Sequence, residues 1–269
     1  MPKARVDDCE LHYEIVGEGP PLLLAAGLGG ASAYWAPQVE PLAKHFKVIL
    51  YDHRGTGLST HQKIKYTVDG MAKDVLGLLD ALKLDTVHLV GHSTGGAIGQ
   101  ILGVEAPRRL RSMVIYASWT KSDPFMRRQF EVREAALRNG GPMGYIRSTP
   151  VFLHPDWWVN ANWQKLEENE KKALATFPDP EIALSRVQAV LAFDRTADLH
   201  KIRVPTMVLC AEDDLLTPMR FSQQLAAAIP GARLVAMEKG GHAASQTMPE
   251  EFNRIVTNYV LEQEKRFAA

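Results

Sequence analysis

The sequence predicts an α/β protein whose sheet is mostly parallel. Three observations support this class: short apolar runs recur along the 269 residues, amphipathic helical patterns separate them, and a glycine-flanked turn joins one run to a helix. Strands that are buried on both faces read as unbroken apolar runs, because parallel sheets carry helices on each side. The alternation of strand and helix therefore indicates consecutive strand–helix–strand units.

The composition is that of an ordinary globular protein. Apolar residues make up 46% and charged residues 23% of the chain, and 31 Lys and Arg balance 31 Asp and Glu. This balance argues against a nucleic-acid partner and against a polybasic membrane patch. No signal segment precedes the first strand and no apolar stretch approaches ~18 residues, so we expect a cytoplasmic protein. The two cysteines, Cys9 and Cys210, are too few for a disulfide scaffold, and we expect neither a redox nor a metal role for them.

The first third of the chain follows the predicted alternation. The predicted strands of this part are 4–8, 11–16, 21–26 and 46–51. The predicted helices are 34–44 and 66–84, the second with apolar residues at spacings of three and four. Polar and small residues fill the loop at 52–57. We interpret this loop as structural, with Asp52 and Arg54 bonding the backbone and each other, although His53 could be mistaken for a catalytic base.

The chain is organised around the pentapeptide Gly-His-Ser-Thr-Gly at 91–95. It follows a β-branched apolar run and precedes a helix of small residues. G-x-S-x-G in this context presents the hydroxyl of Ser93 at the apex of a strained turn. Gly91 and Gly95 leave room where strand and helix cross, and the helix N-terminus directs free N–H groups toward a developing oxyanion. The alternative is a glycine-rich loop without chemistry, and the pentapeptide alone does not decide between the two.

A second glycine-rich loop, Gly-Leu-Gly-Gly at 27–30, directly follows the strand at 21–26. Its spacing differs from the G-x-G-x-x-G pattern of dinucleotide sites. We interpret it as an oxyanion loop, in which the backbone N–H groups of Leu28 and Thr94 hold a negative oxygen and Gly27 contacts the substrate. A plain flexible turn is the alternative.

Residues 120–200 interrupt the alternation of strand and helix. A helix over 124–138 is predicted to end at Asn-Gly-Gly-Pro, and the further helical pieces are 144–149, 155–172 and 181–193. We therefore divide the chain into a core domain, residues 1–119 and 201–269, and a helical cap or lid, residues 120–200. The lid is rich in aromatic residues and is expected to lie over the strand ends. The candidates for substrate contact here are Trp119, Arg127, Trp157 and Trp158, and simple packing is the alternative for the aromatic residues.

The sheet resumes at 204–210, and this strand ends in the acids Glu212, Asp213 and Asp214. A catalytic triad needs a carboxylate here to orient an imidazole ring. We choose Asp214, four residues before a helix-opening proline, with Asp213 as the alternative.

His242 follows the last strand in a glycine-flanked loop, and it alone completes the order Ser…Asp…His. A surface histidine is the alternative reading. A closing helix over 248–262 and a frayed tail from 263 are expected.

Together, the loops at 27–30 and 91–95, Asp214 with the proline after it, and the glycine before His242 resemble the α/β-hydrolase superfamily. The resemblance covers nearly the whole chain. It implies an eight-stranded mostly parallel sheet, flanking helices, an inserted helical lid and no cofactor. It also implies that Ser93 is the nucleophile, His242 the base and Asp214 the orienting acid. Alanine at 26 departs from the histidine that many members carry there, so the support of the oxyanion loop is left open.

A narrower resemblance is to the aminoacrylate/carbamate hydrolases of bacterial pyrimidine degradation, and next to the enol-lactone hydrolases. The motifs that carry it lie at 26–30, 34–38, 51–57, 127–134, 152–155 and 213–218. It implies a small carboxylate-bearing C–N substrate. One of Arg127, Arg128 and Arg133 would then pair with the carboxylate, although a solvated helix face is the alternative for each.

Several functions remain open beside this hypothesis. They are a general carboxylesterase, a non-catalytic small-ligand receptor, and a lyase or cofactor-free oxygenase. Dehalogenases and epoxide hydrolases of this superfamily use aspartate as nucleophile, and Ser93 argues against both. We expect a small molecule as the partner, and we leave a homodimer open.

Overall fold

An eight-stranded sheet forms the centre of the protein, in a computed structural model that describes residues 2–268. The strands are β1 (Lys3–Val6), β2 (Cys9–Val16), β3 (Pro21–Ala25), β4 (Lys47–Tyr51), β5 (Val87–His92), β6 (Leu110–Tyr116), β7 (Thr206–Ala211) and β8 (Arg233–Met237). Their order across the sheet is β1-β2-β4-β3-β5-β6-β7-β8. β2 pairs antiparallel with β1 and β4, and the remaining neighbours pair parallel. The prediction of an eight-stranded, mostly parallel sheet is therefore confirmed.

Helices cover both faces of the sheet. They are α1 (Ala36–Ala43), α2 (Val68–Ala81), α3 (Thr94–Glu105), α4 (Pro124–Leu153), α5 (Asp156–Ala161), α6 (Trp163–Ala175), α7 (Pro180–Ala192), α8 (Met219–Ala228), α9 (Ala244–Thr247) and α10 (Pro249–Phe267). One core packs α2, α3 and α8 against the sheet, and the other packs α1 and α10. Along β3, Leu22 and Leu24 enter the second core while Leu23 enters the first, as the two-residue period of a strand requires.

The helices α4 to α7 lie between β6 and β7 in the chain. Asp123 caps α4 by accepting a hydrogen bond from the N–H of Met126 at 2.8 Å. Gly141 has φ 64° and ψ −165°, so the predicted break in α4 is present, although helix continues on either side of it. The division of the chain into core and cap domains stays a prediction.

The C-terminal end differs from the expected frayed tail, because α10 continues to Phe267. The side chain of Glu264 accepts hydrogen bonds from Arg111 at 2.8 and 3.0 Å and lies 2.8 Å from Nε2 of the buried His88. These contacts attach the last turns of α10 to β5 and β6. Among the described helices, none has the length and apolar character to cross a membrane.

Candidate active site

Ser93 lies at the apex of the turn between β5 and α3, with φ 52° and ψ −110°. Residues other than glycine rarely adopt this region, so the backbone is strained. β6 and the residues after it hold this backbone, because the Ser93 N–H donates to the Tyr116 carbonyl at 2.8 Å and the Ser93 carbonyl accepts from Ser118 Oγ at 2.8 Å. A Cβ on Gly91 would overlap the Gly95 carbonyl, which explains why a small residue is needed there.

His242 and Asp214 form a buried pair. Nδ1 of His242 lies 2.9 Å from Oδ2 and 3.2 Å from Oδ1 of Asp214. Oδ1 also accepts from the N–H groups of Leu216 and Thr217, at 2.8 and 2.9 Å, and Oδ2 accepts from Thr217 Oγ1 at 2.9 Å. A carboxylate beside Nδ1 favours the proton on that nitrogen and leaves Nε2 free to accept another.

Asp213, the alternative acid, occupies a different position. It is exposed, and its Oδ1 accepts from the Gly241 N–H at 2.7 Å. The structure thus places Asp214 beside the imidazole ring of His242, while Asp213 holds the loop that carries the ring.

Two further side chains contact the backbone carbonyl of His242. His92 Nε2 and the Tyr116 hydroxyl each lie 3.0 Å from the His242 carbonyl oxygen. Because a carbonyl only accepts, the proton of His92 is on Nε2. Burial, and then the charge of His242, hold the pKa of His92 well below its usual value, so the ring is neutral. Sequence reasoning missed this support, since the second residue of G-x-S-x-G carries no signal for it.

The predicted oxyanion groups share a cavity with the serine and histidine. Leu28, Thr94, Ser93 and His242 all line it. Thr94 is the first residue of α3, so its N–H has no acceptor within the helix. Gly27 lines the same cavity, and a Cβ there would lie 3.2 Å from Ser93 Cβ.

The glycine-rich loop at 27–30 is contacted by an arginine of α7 that the sequence analysis missed. Arg186 Nη2 donates to the Leu28 carbonyl at 2.9 Å, and Nη1 donates to the Arg54 carbonyl at 2.8 Å. The Arg186 side chain is buried, and burial lowers its pKa to about 10. Helical spacing could have indicated that Arg186 is buried. It lies four residues from each of the apolar residues Ile182 and Val190, and so on the same face of α7.

The contacts of the loop at 52–57 differ in part from the prediction, and two of its residues, Thr56 and Gly57, line the cavity. The Asp52 carboxylate accepts from two backbone N–H groups, those of Ser32 and Leu58, at 2.7 and 2.9 Å. Arg54 pairs with Asp74 at 2.7 Å rather than with Asp52. Burial and the neighbouring Arg186 cation hold the pKa of His53 in this loop well below its usual value.

The cavity has a volume of about 410 Å³ and a mainly apolar wall, which includes two arginines, Arg133 and Arg186. Arg133 of α4 lines the cavity and is 4% exposed. Its Nη2 donates to the Tyr145 hydroxyl at 2.8 Å, and the guanidinium lies 5.2 Å from the centre of the Phe130 ring. Within residues 2–268, no carboxylate oxygen lies within 4.0 Å of the Arg133 guanidinium nitrogens. Arg127 and Arg128 are exposed instead.

The structure does not bring four of the predicted substrate contacts to the cavity wall. Trp119 is fully buried, where it packs in the core. Arg127 lies on the exposed face of α4. Trp157 is 39% exposed, and Trp158 stacks on His154 with ring centres 4.4 Å apart. Of the residues predicted to contact substrate, only Gly27 and the alternative Arg133 are on the wall of the cavity.

Comparison with known proteins agrees with this architecture. Residues 20–247 match the protein family described as the alpha/beta hydrolase fold. A protein of Azorhizobium caulinodans named carbamate hydrolase RutD is 43% identical over 259 residues, which are 96% of this chain and 98% of the relative. A protein of the same name from a Caulobacter species is 40% identical over 252 residues, 93% of this chain and 94% of the relative. The crystal structure of the enol-lactonase from Burkholderia xenovorans has a TM-score of 0.88 and 28% identity, covering 97% of this chain and 100% of that one. The similarity therefore extends over α4 to α7 as well as the sheet.

Proposed function

The chain belongs to the α/β-hydrolase fold family and is a hydrolase, and we propose that it cleaves a small acyl compound through a serine-bound acyl-enzyme. The observation that carries this proposal is the buried contact of 2.9 Å between His242 Nδ1 and Asp214 Oδ2, at the cavity that Ser93 also lines. A strained serine, an oriented imidazole and free N–H groups at one cavity are the parts that acyl transfer needs.

The proposed reaction has two halves. In the first, His242 Nε2 takes the proton of Ser93 Oγ while Oγ attacks the carbonyl carbon. The N–H groups of Leu28 and Thr94 hold the resulting oxyanion, and Asp214 stabilises the imidazolium. The leaving group receives the proton from His242 as its bond to carbon breaks. In the second half, His242 deprotonates a water molecule, which attacks the acyl-enzyme. The imidazolium then returns this proton to Ser93 Oγ as the acyl C–O bond breaks and the acid is released.

For the substrate, we propose a carbamate-like C–N compound that carries an anionic group, because the nitrogen of a carbamate is bonded to the carbonyl carbon that Ser93 would attack. The C–N bond of an aminoacrylate lies on an alkene carbon, so an acyl-enzyme does not account for its cleavage. The relatives named carbamate hydrolase support this class at 40% and 43% identity. Arg133 supports the anionic group, since a buried guanidinium without a carboxylate partner costs several kcal/mol that a bound anion would offset.

An enol lactone or another small ester is the second candidate substrate. The enol-lactonase from Burkholderia xenovorans shares the fold over 97% of this chain, which supports this alternative. A cavity of about 410 Å³ is also larger than a four-atom carbamate requires. The substrate panel should therefore contain carbamates, enamine acids, enol lactones and simple esters.

The test of the serine mechanism is the intact mass after treatment with a fluorophosphonate, for the wild type beside Ser93→Ala. We expect one adduct on the wild type and none on the variant, which should keep the circular dichroism spectrum of the wild type. Folded wild-type protein without an adduct would contradict the proposal. Saturable ligand binding without turnover would then favour a receptor, and turnover that survives Ser93→Ala would favour a lyase or cofactor-free oxygenase.

A further inference from the structure

Arg186 is a buried cation without a buried counter-ion. Its side chain is 1% exposed, and within residues 2–268 no carboxylate oxygen lies within 4.0 Å of its guanidinium nitrogens. The guanidinium is surrounded by the carbonyl oxygens of Leu28 and Arg54, by Nδ1 of His53 at 3.3 Å from Nη2, and by the ring of Tyr66, whose centre is 5.6 Å away. With a pKa of about 10, lowered by burial, the group stays protonated at neutral pH. Such an arrangement is costly, and packing alone does not explain it.

The contacts of Arg186 connect the lid to the oxyanion loop. The guanidinium comes from α7 and bonds the carbonyl of Leu28, the residue whose N–H is the proposed oxyanion donor. The loop is shaped around it, because Gly30 has φ +68° and a Cβ there would lie 2.9 Å from Arg186 Nη2. The Gly30 N–H also donates to the Gly27 carbonyl at 2.9 Å, which closes the turn that contains Leu28.

We propose that Arg186 is a positioning residue, which holds the Leu28 peptide so that its N–H faces the oxyanion. Hydrolysis would then depend on the packing of α7 against the loop at 27–30. This inference rests on the proposed serine mechanism. The two terminal nitrogens of the planar Arg186 guanidinium hold the carbonyl groups of Leu28 and Arg54 at a fixed separation. A lysine ammonium is a point charge on a flexible stem, so it would replace the charge but not the geometry.

The expected effect of Arg186→Met is a loss in kcat with little change in KM. Oxyanion contacts are made in the transition state, and loss of one donor lowers kcat by about 100- to 1000-fold. Arg186 acts through the loop, so we expect a fall of about 10- to 100-fold for Arg186→Met. Arg186→Lys should lie between Arg186→Met and the wild type.

The experiment measures kcat and KM on 4-nitrophenyl acetate, a neutral ester, so that no substrate carboxylate is attracted by the removed charge. The inhibition constant of a phenylboronic acid, which forms a tetrahedral adduct on serine, should rise in parallel with the loss of kcat. Added guanidinium ion at non-denaturing concentration should partly restore Arg186→Ala, which leaves the volume of the side chain empty, and should leave the wild type unchanged. The matched control is Val187→Ala, the next residue on α7, which is fully buried in the core away from the cavity and should lose stability but keep kcat.

The outcomes separate this inference from the proposed function. A wild type that forms no fluorophosphonate adduct and shows no turnover overturns both. An active wild type with kcat of Arg186→Met within threefold of it overturns only the role of Arg186, as does an equal loss of kcat in Val187→Ala. If Arg186→Met does not fold, Arg186→Lys tests the proposal instead. A folded lysine variant with the kcat of the wild type would show that the planar guanidinium group is not required.

Discussion

Replacement of Asp214 by asparagine changes one atom of the proposed triad and leaves most of its surroundings in place. Oδ1 would keep the two backbone N–H groups of Leu216 and Thr217, at 2.8 and 2.9 Å, so the amide NH2 would take the place of Oδ2. That NH2 would face His242 Nδ1 and Thr217 Oγ1, each 2.9 Å from Oδ2. Since an amide NH2 donates, the ring proton of His242 would move to Nε2. In this tautomer Nε2 has no lone pair to accept the proton of Ser93.

The size of the effect follows from this change of tautomer. The same replacement in a Ser-His-Asp triad lowers kcat by about 10⁴, or about 5.4 kcal/mol of transition-state stabilisation. The assay is kcat on 4-nitrophenyl acetate at pH 7.5, with the rate of phosphonylation as a second measure. Asp213→Asn is the matched control. Its Oδ1 can still accept from the Gly241 N–H, so we expect kcat within about threefold of the wild type.

Two results would refute this reasoning. If folded Asp214→Asn kept more than about one hundredth of wild-type kcat, the contact with His242 would not control the tautomer. If Asp213→Asn lowered kcat as much as Asp214→Asn, the acid of the triad would be wrongly assigned. Thermal unfolding of both variants shows whether either loss reflects unfolding instead.

Two further predictions concern the lid and the buried histidines. Arg133→Met should lower kcat/KM by about 10- to 100-fold for substrates with a carboxylate and leave neutral esters unchanged, since hydrogen bonds to charged groups contribute about 1.5–3 kcal/mol. An equal loss on both substrates would show that Arg133 acts by packing, and the exposed Arg127→Met serves as control. Burial also lowers the pKa of His53, His88 and His92 from the ordinary value of 6.5, so these rings bind a proton less readily in the folded protein than in the unfolded chain. Their contribution to stability is therefore complete above pH 6.5 and falls below it, by up to about 1.4 kcal/mol per pH unit for each ring. Thermal unfolding between pH 7.5 and 5 measures this, and a constant unfolding temperature would contradict it.

Local patterns in the sequence were sufficient where one element determines the structure by itself. The apolar runs predicted the strands, and the glycine-flanked serine predicted the strained turn at Ser93, because both depend on neighbouring residues. Local patterns failed where two distant segments meet. His92 contacts the carbonyl of a residue 150 positions away, and Arg186 contacts Leu28 across 158 positions. Helical spacing could have distinguished the arginines of α4, because Arg133 shares the buried face of the helix with Phe130 whereas Arg127 is exposed.

Two buried arginines bring α4 and α7 to the wall of the cavity that Ser93 lines. Arg133 and Arg186 both line an apolar cavity, and within residues 2–268 neither has a carboxylate within 4.0 Å. Glu170 lines the same cavity but does not contact either arginine. In a setting of low polarity, two arginines without a carboxylate in contact attract an anion more strongly than they would in water. Under the proposed function, Arg133 would select the charge of the substrate and Arg186 would set the donor for the oxyanion. Exchange of α4 to α7 would then change substrate choice and rate together. It would also remove the Leu153 carbonyl, which accepts from the Ala243 N–H at 3.0 Å next to His242, so the position of the imidazole ring depends in part on α4.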